Sequence, residues 1–388
     1  MRTRTRNNSA RKAVDRLNAT MSALSDRVLG RDDLIRQIKF ALITKNHVLM
    51  EGPPGVAKSM LANLLFRAIR GHKHYFDIKC TKKMSEDYLV GAPDMRKFRQ
   101  EGRLWHLTDK TLVTSDFAFI DEFMDLTPGA LRALLELLNE RTFTRGRQKE
   151  KSPLWTALAA TNFSGENEEA LEAVIDRFLF RCKVEPLSSI ADRMRMIKAS
   201  VGQDEEMGPI PVLNKADIVT LNKQVSKVYV TDLVMETYLA VCDKIGSLTD
   251  RTIANAIRVV QANAMLEGRY CTSVKDLNAL DCVFRVPGDS ASSSRFAKAF
   301  SVYKGALDRE KRISNVFMIY RRISDLVLMI QDCEDYKEAY AIAHEAREAE
   351  QAIHALSTSD TEHLKTEGCK SCCSILEKAD TLYNRDKD

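Results

Sequence analysis

Short, mostly apolar runs alternate with amphipathic helical patterns in the first half of the chain. The runs HVLM (47–50), FAFI (117–120) and WTALAA (155–160) are each followed by a turn or a polar switch and then by a helical pattern. Runs of this length are typical of buried strands. Their alternation with helices predicts an α/β fold, in which a parallel sheet is covered by helices on both faces.

A long polar insertion separates the first two of these strands. It extends over residues 82–112 and contains Gly91, Pro93 and Gly102. A compact domain tolerates a segment of this length when the segment has a function or packs as an element of its own.

After Pro186 the pattern changes to helices alone. Apolar residues recur with helical spacing over 216–225, 233–245 and 253–266. This periodicity predicts a small all-α domain that ends near residue 286.

The last part of the chain is also predicted to be helical. PGDSASSS (287–294) has the composition of a linker. Apolar spacing over 313–330 and 342–356 predicts two amphipathic helices, which we interpret as a helical hairpin. The predicted divisions are a basic N-terminal arm, an α/β domain, a helical domain, a linker and a helical C-terminal extension, at residues 1–18, 19–187, 188–286, 287–294 and 295–388.

The composition fits a globular protein of the cytoplasm. The chain has 388 residues, of which 44% are hydrophobic and 29% charged. No apolar run approaches the roughly 20 residues that a membrane helix needs, and the N-terminus lacks the apolar segment of a secretion signal. Nine cysteines, an odd number without regular pairing, favour reduced thiols over a disulfide framework.

The formal charge is concentrated at the N-terminus. Residues 1–16 hold six Arg or Lys residues and one Asp, which together equal the whole net charge of +5. A basic arm of this kind can contact nucleic acid. We favour a disordered, solvated tail, because the rest of the chain offers no broad basic excess that would extend such a surface.

The stretch GPPGVAKS (52–59) follows a predicted strand and precedes a helical pattern. In this context it is typical of a phosphate-binding loop, whose backbone N–H groups surround the phosphates at a helix N-terminus. The motif predicts that Lys58 reaches the β and γ phosphates and that Ser59 ligates Mg²⁺. The predicted nucleotide contacts are Gly52, Pro53, Pro54, Gly55, Val56, Ala57, Lys58, Ser59 and Met60.

Ala57 stands where the usual pattern has glycine. We expect right-handed backbone angles at this position, because it opens the helix that follows. In that conformation the methyl group has no steric cost, so alanine is compatible with a working loop.

Three polar residues follow two of the predicted strands. Asp121 and Glu122 end the FAFI strand, where one carboxylate can hold Mg²⁺ through water and the other can polarise the attacking water. Asn162 ends the WTALAA strand, where its amide is suited to orient the same water.

Two arginines complete the candidate site. Arg177 lies where a helix gives way to a strand, and Arg251 lies at the N-terminal end of a helix in the second domain. A guanidinium group is well suited to stabilise the charge that develops on a transferring phosphoryl group.

The order of these motifs resembles that of the AAA+ ATPases. The narrower likeness is to the MoxR family and, within it, to the RavA-like members, whose phosphate loop typically has Ala-Lys before Ser or Thr, as here. DEFMDLTPGALRALLELLNERTFTRGRQKEKSPLWTALAATN (121–162) also resembles the family core. LEAVIDRFLFR (171–181) and DRTIANAIRVVQANAMLEGR (250–269) extend the resemblance, which covers residues 20–285.

The resemblance implies an AAA+ nucleotide-binding domain followed by an all-α lid domain, with ATP and Mg²⁺ as ligands. Lys58 and Ser59 would contact phosphate and Mg²⁺. Asp121 would be the carboxylate on the Mg²⁺ side, and Glu122 would be the catalytic base.

The resemblance also implies roles for residues outside these motifs. Asn162 would be the first sensor and Arg251 the second, while Arg177 would be the arginine finger offered to the nucleotide of a neighbouring subunit. Arg181 is a competing candidate for the finger, and Val28–Arg31 would lie near the adenine.

At the level of function, the resemblance implies a ring-forming ATPase, expected as a homo-hexamer, that remodels protein clients. In this family such clients often contain von Willebrand A domains. The segments 82–112 and 141–152, the second predicted to be a β-hairpin, would correspond to two pore-side elaborations of the family. Two alternatives stay open: a nucleic-acid-stimulated motor that uses the basic arm, and a non-hydrolysing, nucleotide-gated scaffold whose helical tail recruits partners.

The sequence GCKSCC (368–373) places Cys369, Cys372 and Cys373 near His363, a combination that suggests a zinc site. No second Cys or His pair at finger spacing follows. We therefore interpret these cysteines as free thiols in a mobile tail.

Overall fold

The computed structural model describes residues 2–162, 176–202, 207–246, 248–287 and 289–385. The chain divides into two compact units, Met1–Phe300 and Ser301–Asp388. Among the described helices, none has both the length and the apolar character needed to cross a bilayer.

The N-terminal unit combines nine described strands with helices. Its strands are β1 (Val48–Glu51), β2 (Ile69–Arg70), β3 (Tyr75–Lys79), β4 (Phe117–Asp121), β5 (Thr142–Arg145), β6 (Gln148–Lys151), β7 (Thr156–Thr161), β8 (Phe180–Lys183) and β9 (Leu213–Asn214). Its described α-helices are α1 (Arg2–Arg27), α2 (Asp32–Thr44), α3 (Lys58–Ala68), α4 (Asp87–Val90), α5 (Met95–Glu101), α6 (Pro128–Asn139), α7 (Ile190–Ser200), α8 (Lys215–Val225), α9 (Asp232–Ile245), α10 (Asp250–Leu266), α11 (Asp281–Phe284) and α12 (Ser290–Ala299). Short 3-10 helices lie at Leu112–Thr114, Phe123–Asp125 and Val274–Leu280.

Five strands form a parallel sheet in the order β3, β4, β7, β1, β8. Val48 of β1 pairs with Leu158 of β7 on one side and with Phe180 of β8 on the other. Every residue of β1 and β7 is buried, because the central strands are covered on both faces. The three strands predicted from the apolar runs are confirmed, and the order brings the carboxyl ends of β1, β4 and β7 side by side.

The prediction that the N-terminal arm is a disordered tail is wrong. It is part of helix α1, which packs against α2 and α8. Ala13, Leu17, Met21 and Leu24 are buried on one face of this helix. Their spacing of three or four residues is helical, and the high density of basic residues around them obscured it. Arg16 forms an ion pair with Asp217, with 2.5 Å between Nη2 and Oδ1.

The predicted linker is also wrong in its second half. Residues 290–299 form helix α12, which packs against α9 and α11. Asp289 begins it as an N-cap, because its carboxylate accepts a hydrogen bond from the Ala291 amide at 3.0 Å. The Ser292 hydroxyl is buried and accepts a hydrogen bond from the Val286 amide at 2.8 Å. Ser292 thus closes the turn before α12, and the helix begins within the serine-rich stretch.

The insertion and the hairpin pack together in the N-terminal unit. Strands β5 and β6 pair in antiparallel fashion around Gly146, which confirms the predicted hairpin. The insertion contains α4 and α5 and contacts the hairpin through Gln148, whose side chain accepts from the His106 amide at 2.7 Å and donates to the His106 carbonyl at 3.1 Å.

The C-terminal unit is a bundle of three helices and not the predicted hairpin of two. The helices are α13 (Tyr303–Asp332), α14 (Tyr336–Leu356) and α15 (Glu362–Arg385). Cys372, Ile375 and Ala379 of α15 are buried in its core with Ile323 and Ile353. The prediction of a mobile tail over the cysteine-rich stretch is wrong, because Cys372 occupies a core position of α15 as a small apolar residue.

Candidate functional site

The phosphate loop connects β1 to α3 at the carboxyl edge of the sheet. A Cβ atom at Gly52 would lie 2.1 Å from the Val184 carbonyl oxygen, so no other residue fits there without a backbone shift. Gly55 has a φ of +82°, in the left-handed region that favours glycine. Both glycines of the motif are therefore required by the geometry of the loop.

Ala57 differs from the expectation. Its φ is +67° and its ψ is +19°, which is left-handed and not right-handed. The position precedes the first helical residue, where the chain turns into α3, and it does not yet have helical angles. Alanine in this region costs about 1 kcal/mol relative to glycine, so the loop carries a small backbone strain at this point.

The Lys58 ammonium group is held by the loop itself. Its Nζ donates to the Gly52 carbonyl and, at 3.0 Å, to the Pro53 carbonyl. Burial lowers the pKa of Lys58, and the nearby carboxylates of Glu122 and Asp121 act in the opposite direction. The side chain is 6% exposed, so an anion bound in the loop would meet a poorly solvated positive charge.

Ser59 and Asp121 form a pair of oxygen ligands. The Ser59 Oγ lies 3.5 Å from Asp121 Oδ2, and Asp121 Oδ1 accepts from the Glu122 amide at 3.1 Å. A hydroxyl and a carboxylate oxygen are ligands that Mg²⁺ prefers, together with water and phosphate oxygens. This donor set fits Mg²⁺.

Glu122 stands next to this pair. Its backbone has a φ of +50°, unusual for a residue other than glycine, where β4 turns into a 3-10 helix. Glu122 Oε2 accepts from the Asn162 amide at 3.1 Å. The structure thus brings Asn162 and Glu122 together, because β4 and β7 are adjacent, and the contact is through the Asn162 backbone.

A cavity of about 410 Å³ opens between these groups. It is lined by Pro54, Gly55, Val56, Ala57, Lys58, Ser59, Met60, Lys79, Asp121 and Glu122. We call Lys58, Ser59, Asp121 and Glu122 the phosphate-loop cluster. Lys79 is a lining residue that the sequence does not predict, because it reaches the cavity through the pairing of β3 with β4, in register with Asp121.

The two predicted arginines lie together, at a place separate from this lining. Asp176 joins them: Arg177 Nη1 donates to Asp176 Oδ2 at 2.9 Å, and Arg251 Nη1 lies 3.5 Å from the same oxygen. Thr249 donates to the other Asp176 oxygen at 2.7 Å. We call Asp176, Arg177 and Arg251 the arginine cluster. Within the described part of the chain, the buried Nε of Arg177 has no hydrogen-bond partner.

Arg181, the competing finger, is engaged elsewhere. Its Nη2 lies 3.2 Å from Oε1 of Glu51, whose side chain is 8% exposed. The pair joins β8 to the end of β1, directly before the phosphate loop. Its geometry is that of a structural ion pair.

Val28, predicted near the adenine, is buried at 3% exposure. A second cavity of about 300 Å³ begins two residues later, with Gly30, Arg31, Val184 and Pro287 among its lining residues. The Arg31 guanidinium links the phosphate loop to the segment after β8: it donates to the Val56 carbonyl at 3.4 Å and to the Glu185 carbonyl at 2.7 Å.

His47 is buried directly before β1, where its ring bridges β7 and α6. Its Nδ1 accepts from the Ala157 amide of β7 at 3.0 Å, and its Nε2 donates to the Leu138 carbonyl of α6, also at 3.0 Å. This pattern requires the neutral ring with hydrogen on Nε2. Burial lowers the pKa of His47 to about 3, because the charged ring would lose its hydration.

Comparison with known proteins gives a family match over most of this unit. The family model described as "MoxR domain in the MoxR-vWA-beta-propeller ternary systems" matches residues 15–266. An uncharacterised protein of Methanocaldococcus jannaschii is 29% identical over 278 residues, which span 70% of each chain. Chaperone MoxR1 of Mycobacterium tuberculosis is 30% identical over 160 residues, which cover 40% of this chain and 41% of that protein.

A solved structure agrees with the fold. The crystal structure of a candidate ATPase from Cytophaga hutchinsonii superposes with a TM-score of 0.58, at 19% sequence identity. The match covers 80% of this chain and 98% of the other. Together with the parallel sheet and the helical region after it, this likeness confirms the predicted α/β fold of the AAA+ type.

Proposed function

This chain belongs to the MoxR family of AAA+ ATPases, and on that premise we propose that it hydrolyses ATP with Mg²⁺ at the interfaces of a homo-oligomeric ring. The observation that carries this proposal is the phosphate-loop cluster, which places a buried cation, a hydroxyl and two carboxylates around one cavity. Such a set binds a polyanion and a hard metal ion, and it retains one carboxylate to activate water.

The groups of one subunit would bind the nucleotide and prepare the attack. Lys58 would exchange its bonds to the Gly52 and Pro53 carbonyls for bonds to phosphate oxygens. Ser59 and Asp121 would hold Mg²⁺, which neutralises charge on the phosphates when bound. Glu122 would accept the proton of the attacking water, and Asn162 would keep the Glu122 carboxylate in place through the amide contact of 3.1 Å.

The arginine cluster would complete the site of a neighbouring subunit. Neither Arg177 nor Arg251 lines the cavity beside the phosphate loop of its own chain. Asp176 holds both guanidinium groups until a γ phosphate of greater negative charge competes for them. We assign Arg177 as the finger and Arg251 as the second sensor. Since each site then needs two subunits, assembly and turnover would be coupled, and a hexamer is the ring size we propose.

The partners of this ATPase would be proteins. The matching family model is described for systems that combine a MoxR domain with von Willebrand A and β-propeller components, and a MoxR relative carries the name of a chaperone. We propose chaperone-like remodelling of clients that contain von Willebrand A domains, in the cytoplasm. The RavA-like subtype stays a prediction from the loop GPPGVAKS and the stretch 121–162.

The nucleic-acid motor is a weaker candidate, since part of the basic arm is committed to the fold. Arg16 is paired with Asp217, and the helix that carries it buries Leu17 and Leu24. Stimulation of ATP hydrolysis by DNA or RNA, lost when residues 1–16 are deleted, would favour this alternative.

Two substitutions test the proposed hydrolysis. Lys58→Ala should abolish binding of a fluorescent ATP analogue, because the loop loses its cation. Glu122→Gln should retain binding and lower phosphate release by at least about 100-fold, because the general base is lost. Glu101→Gln, in the exposed insertion, is the control. Undiminished phosphate release by Glu122→Gln would refute the assigned base, and bound ATP without turnover in the unsubstituted, assembled protein would favour the scaffold.

A further inference from the structure

Two pairs of metal-binding side chains face each other in the C-terminal unit. Glu350 and His354 lie one turn apart on α14, and Cys369 and Cys373 lie one turn apart on α15. Residues four apart share a helix face. The ligand atoms of Glu350, His354 and Cys369 all lie within 4.8 Å of one another.

The spacing of these atoms matches a zinc site. The Cys369 Sγ lies 3.3 Å from the His354 Nε2. In a tetrahedral site with bonds of about 2.3 Å to sulfur and about 2.0 Å to nitrogen, the two ligand atoms lie about 3.5 Å apart. We propose that Glu350, His354 and Cys369 bind a Zn²⁺ ion between α14 and α15. Sulfur, imidazole and carboxylate form a mixed donor set that zinc accepts, whereas Mg²⁺ prefers oxygen ligands alone.

Cys373 is the candidate for the fourth ligand, although its sulfur is not among the atoms that lie within 4.8 Å of one another. It lines a cavity of about 480 Å³ together with His354, Lys365 and Cys369. Lys365 is directed to Glu362, with 2.9 Å between Nζ and Oε1. A rotation of its side chain would bring the Cys373 thiol to the ion, and water would otherwise take the fourth position.

The electrostatics of the cluster also favour a cation. A thiolate beside a carboxylate is unfavourable unless a positive charge lies between them. Zinc supplies that charge: the Cys369 S–H bond breaks, the sulfur keeps the electron pair as ligand, and the proton leaves to solvent.

The site differs from the one suggested by the sequence. His354 takes the place of His363 as the imidazole ligand, because α14 and α15 lie side by side in the bundle. Cys372 is buried in the bundle and donates to the Ala346 carbonyl, with 3.4 Å between sulfur and oxygen. The bound ion would thus clamp two helices together, which stabilises the C-terminal unit against unfolding.

Cobalt substitution tests the proposal on the full chain. The reduced, nucleotide-free protein should bind one Co²⁺ and show thiolate-to-cobalt charge-transfer absorption and the visible bands of a tetrahedral ion. Zn²⁺ should displace it. Cys369→Ser should remove the thiolate-to-cobalt absorption that comes from Cys369. His354→Ala should weaken Zn²⁺ binding by more than about tenfold, which is the smallest loss of affinity expected even for a group that only supports a metal ligand.

Two matched substitutions serve as controls. His344→Ala removes an exposed histidine of α14, and Cys271→Ser removes an exposed cysteine of the other unit. Both should bind cobalt as the unsubstituted chain does. Absence of tetrahedral bands, or bands that persist unchanged in both Cys369→Ser and His354→Ala, would overturn the proposal. Cys369 and His354 lie outside the fully buried core. Circular dichroism should therefore show that Cys369→Ser and His354→Ala are folded.

Discussion

The phosphate-loop cluster and the arginine cluster are built in different ways. The first stands on the ends of β1 and β4 and on the start of α3, so one rigid sheet positions all of its groups. The second joins residues before β8 to the start of α10, and a shared carboxylate, Asp176, holds its two guanidinium groups. The first has a cavity beside it. The second has its cations paired internally.

This difference indicates two halves of one reaction. A buried lysine beside a cavity binds an anion without help, whereas arginines held by Asp176 act only when a stronger anion approaches. If so, loss of Lys58 removes nucleotide binding, whereas damage to the arginine cluster removes turnover alone. Each of the following changes can break or sharpen that distinction.

The largest effect is expected from Arg177→Ala. It should lower ATP turnover of the assembled protein by about 10³-fold, because the developing phosphoryl charge loses its guanidinium partner. Nucleotide affinity should be nearly unchanged, as measured by titration with a fluorescent analogue.

Arg181→Ala is the matched comparison for Arg177→Ala. It leaves the Glu51 carboxylate buried without its partner and should cost about 3 kcal/mol of stability, while turnover per folded molecule is retained. Full turnover in Arg177→Ala together with loss in Arg181→Ala would transfer the role of the finger to Arg181.

A smaller effect concerns the buried His47, whose ring bridges β7 and α6. The folded pKa is lowered to about 3, so the unfolded chain binds the extra proton between pH 3 and its ordinary value near 6.5. Stability is therefore complete above that value and is lost as the pH falls, by about 2 kcal/mol at pH 5.

Urea unfolding at pH 5, 6 and 7 measures this dependence. His47→Gln should be less stable at pH 7, because two buried hydrogen bonds change, but its stability should vary less with pH over this range. His344→Gln, which replaces an exposed histidine of the C-terminal unit, should retain the slope of the unsubstituted chain. Parallel slopes for all three proteins would show that His47 is not the titrating group.

The smallest effect is expected from Ala57→Gly. Glycine relieves the left-handed strain at a φ of +67° but loses more backbone entropy on folding, so a gain of at most about 1 kcal/mol is expected. Thermal unfolding without nucleotide checks the sign. A clear destabilisation would mean that the Ala57 methyl group makes contacts that outweigh the strain.

The contiguous motifs were predictable from the sequence, because their chemistry is local. GPPGVAKS lies between a strand and a helix, and Asp121-Glu122 follows a buried strand. Each motif specifies a turn and a charge within a few residues. The parallel order of the strands then brings these ends together. Lys79 could not be found this way, since it enters the cavity only through the pairing of β3 with β4.

Features that depend on long-range packing were missed. The basic residues of α1 concealed a buried face that exists only against α2 and α8. The role of Asp176 as a bridge requires α10 to return beside β8, which no local pattern encodes. Similarly, Cys369 has His354 as its partner because α14 and α15 pack side by side, and not because the two residues are close in the sequence.

The central claim is that one subunit binds the nucleotide and its neighbour supplies the arginine. Mixing two inactive variants tests it most directly. Arg177→Ala retains the phosphate-loop cluster, and Glu122→Gln retains the arginine cluster, so random equal mixing should rebuild complete sites at about a quarter of the interfaces. Steady-state phosphate release should then rise well above that of either variant alone. Activity of the mixture no higher than the mean of the two separate variants, with mixed assembly verified, would contradict the account.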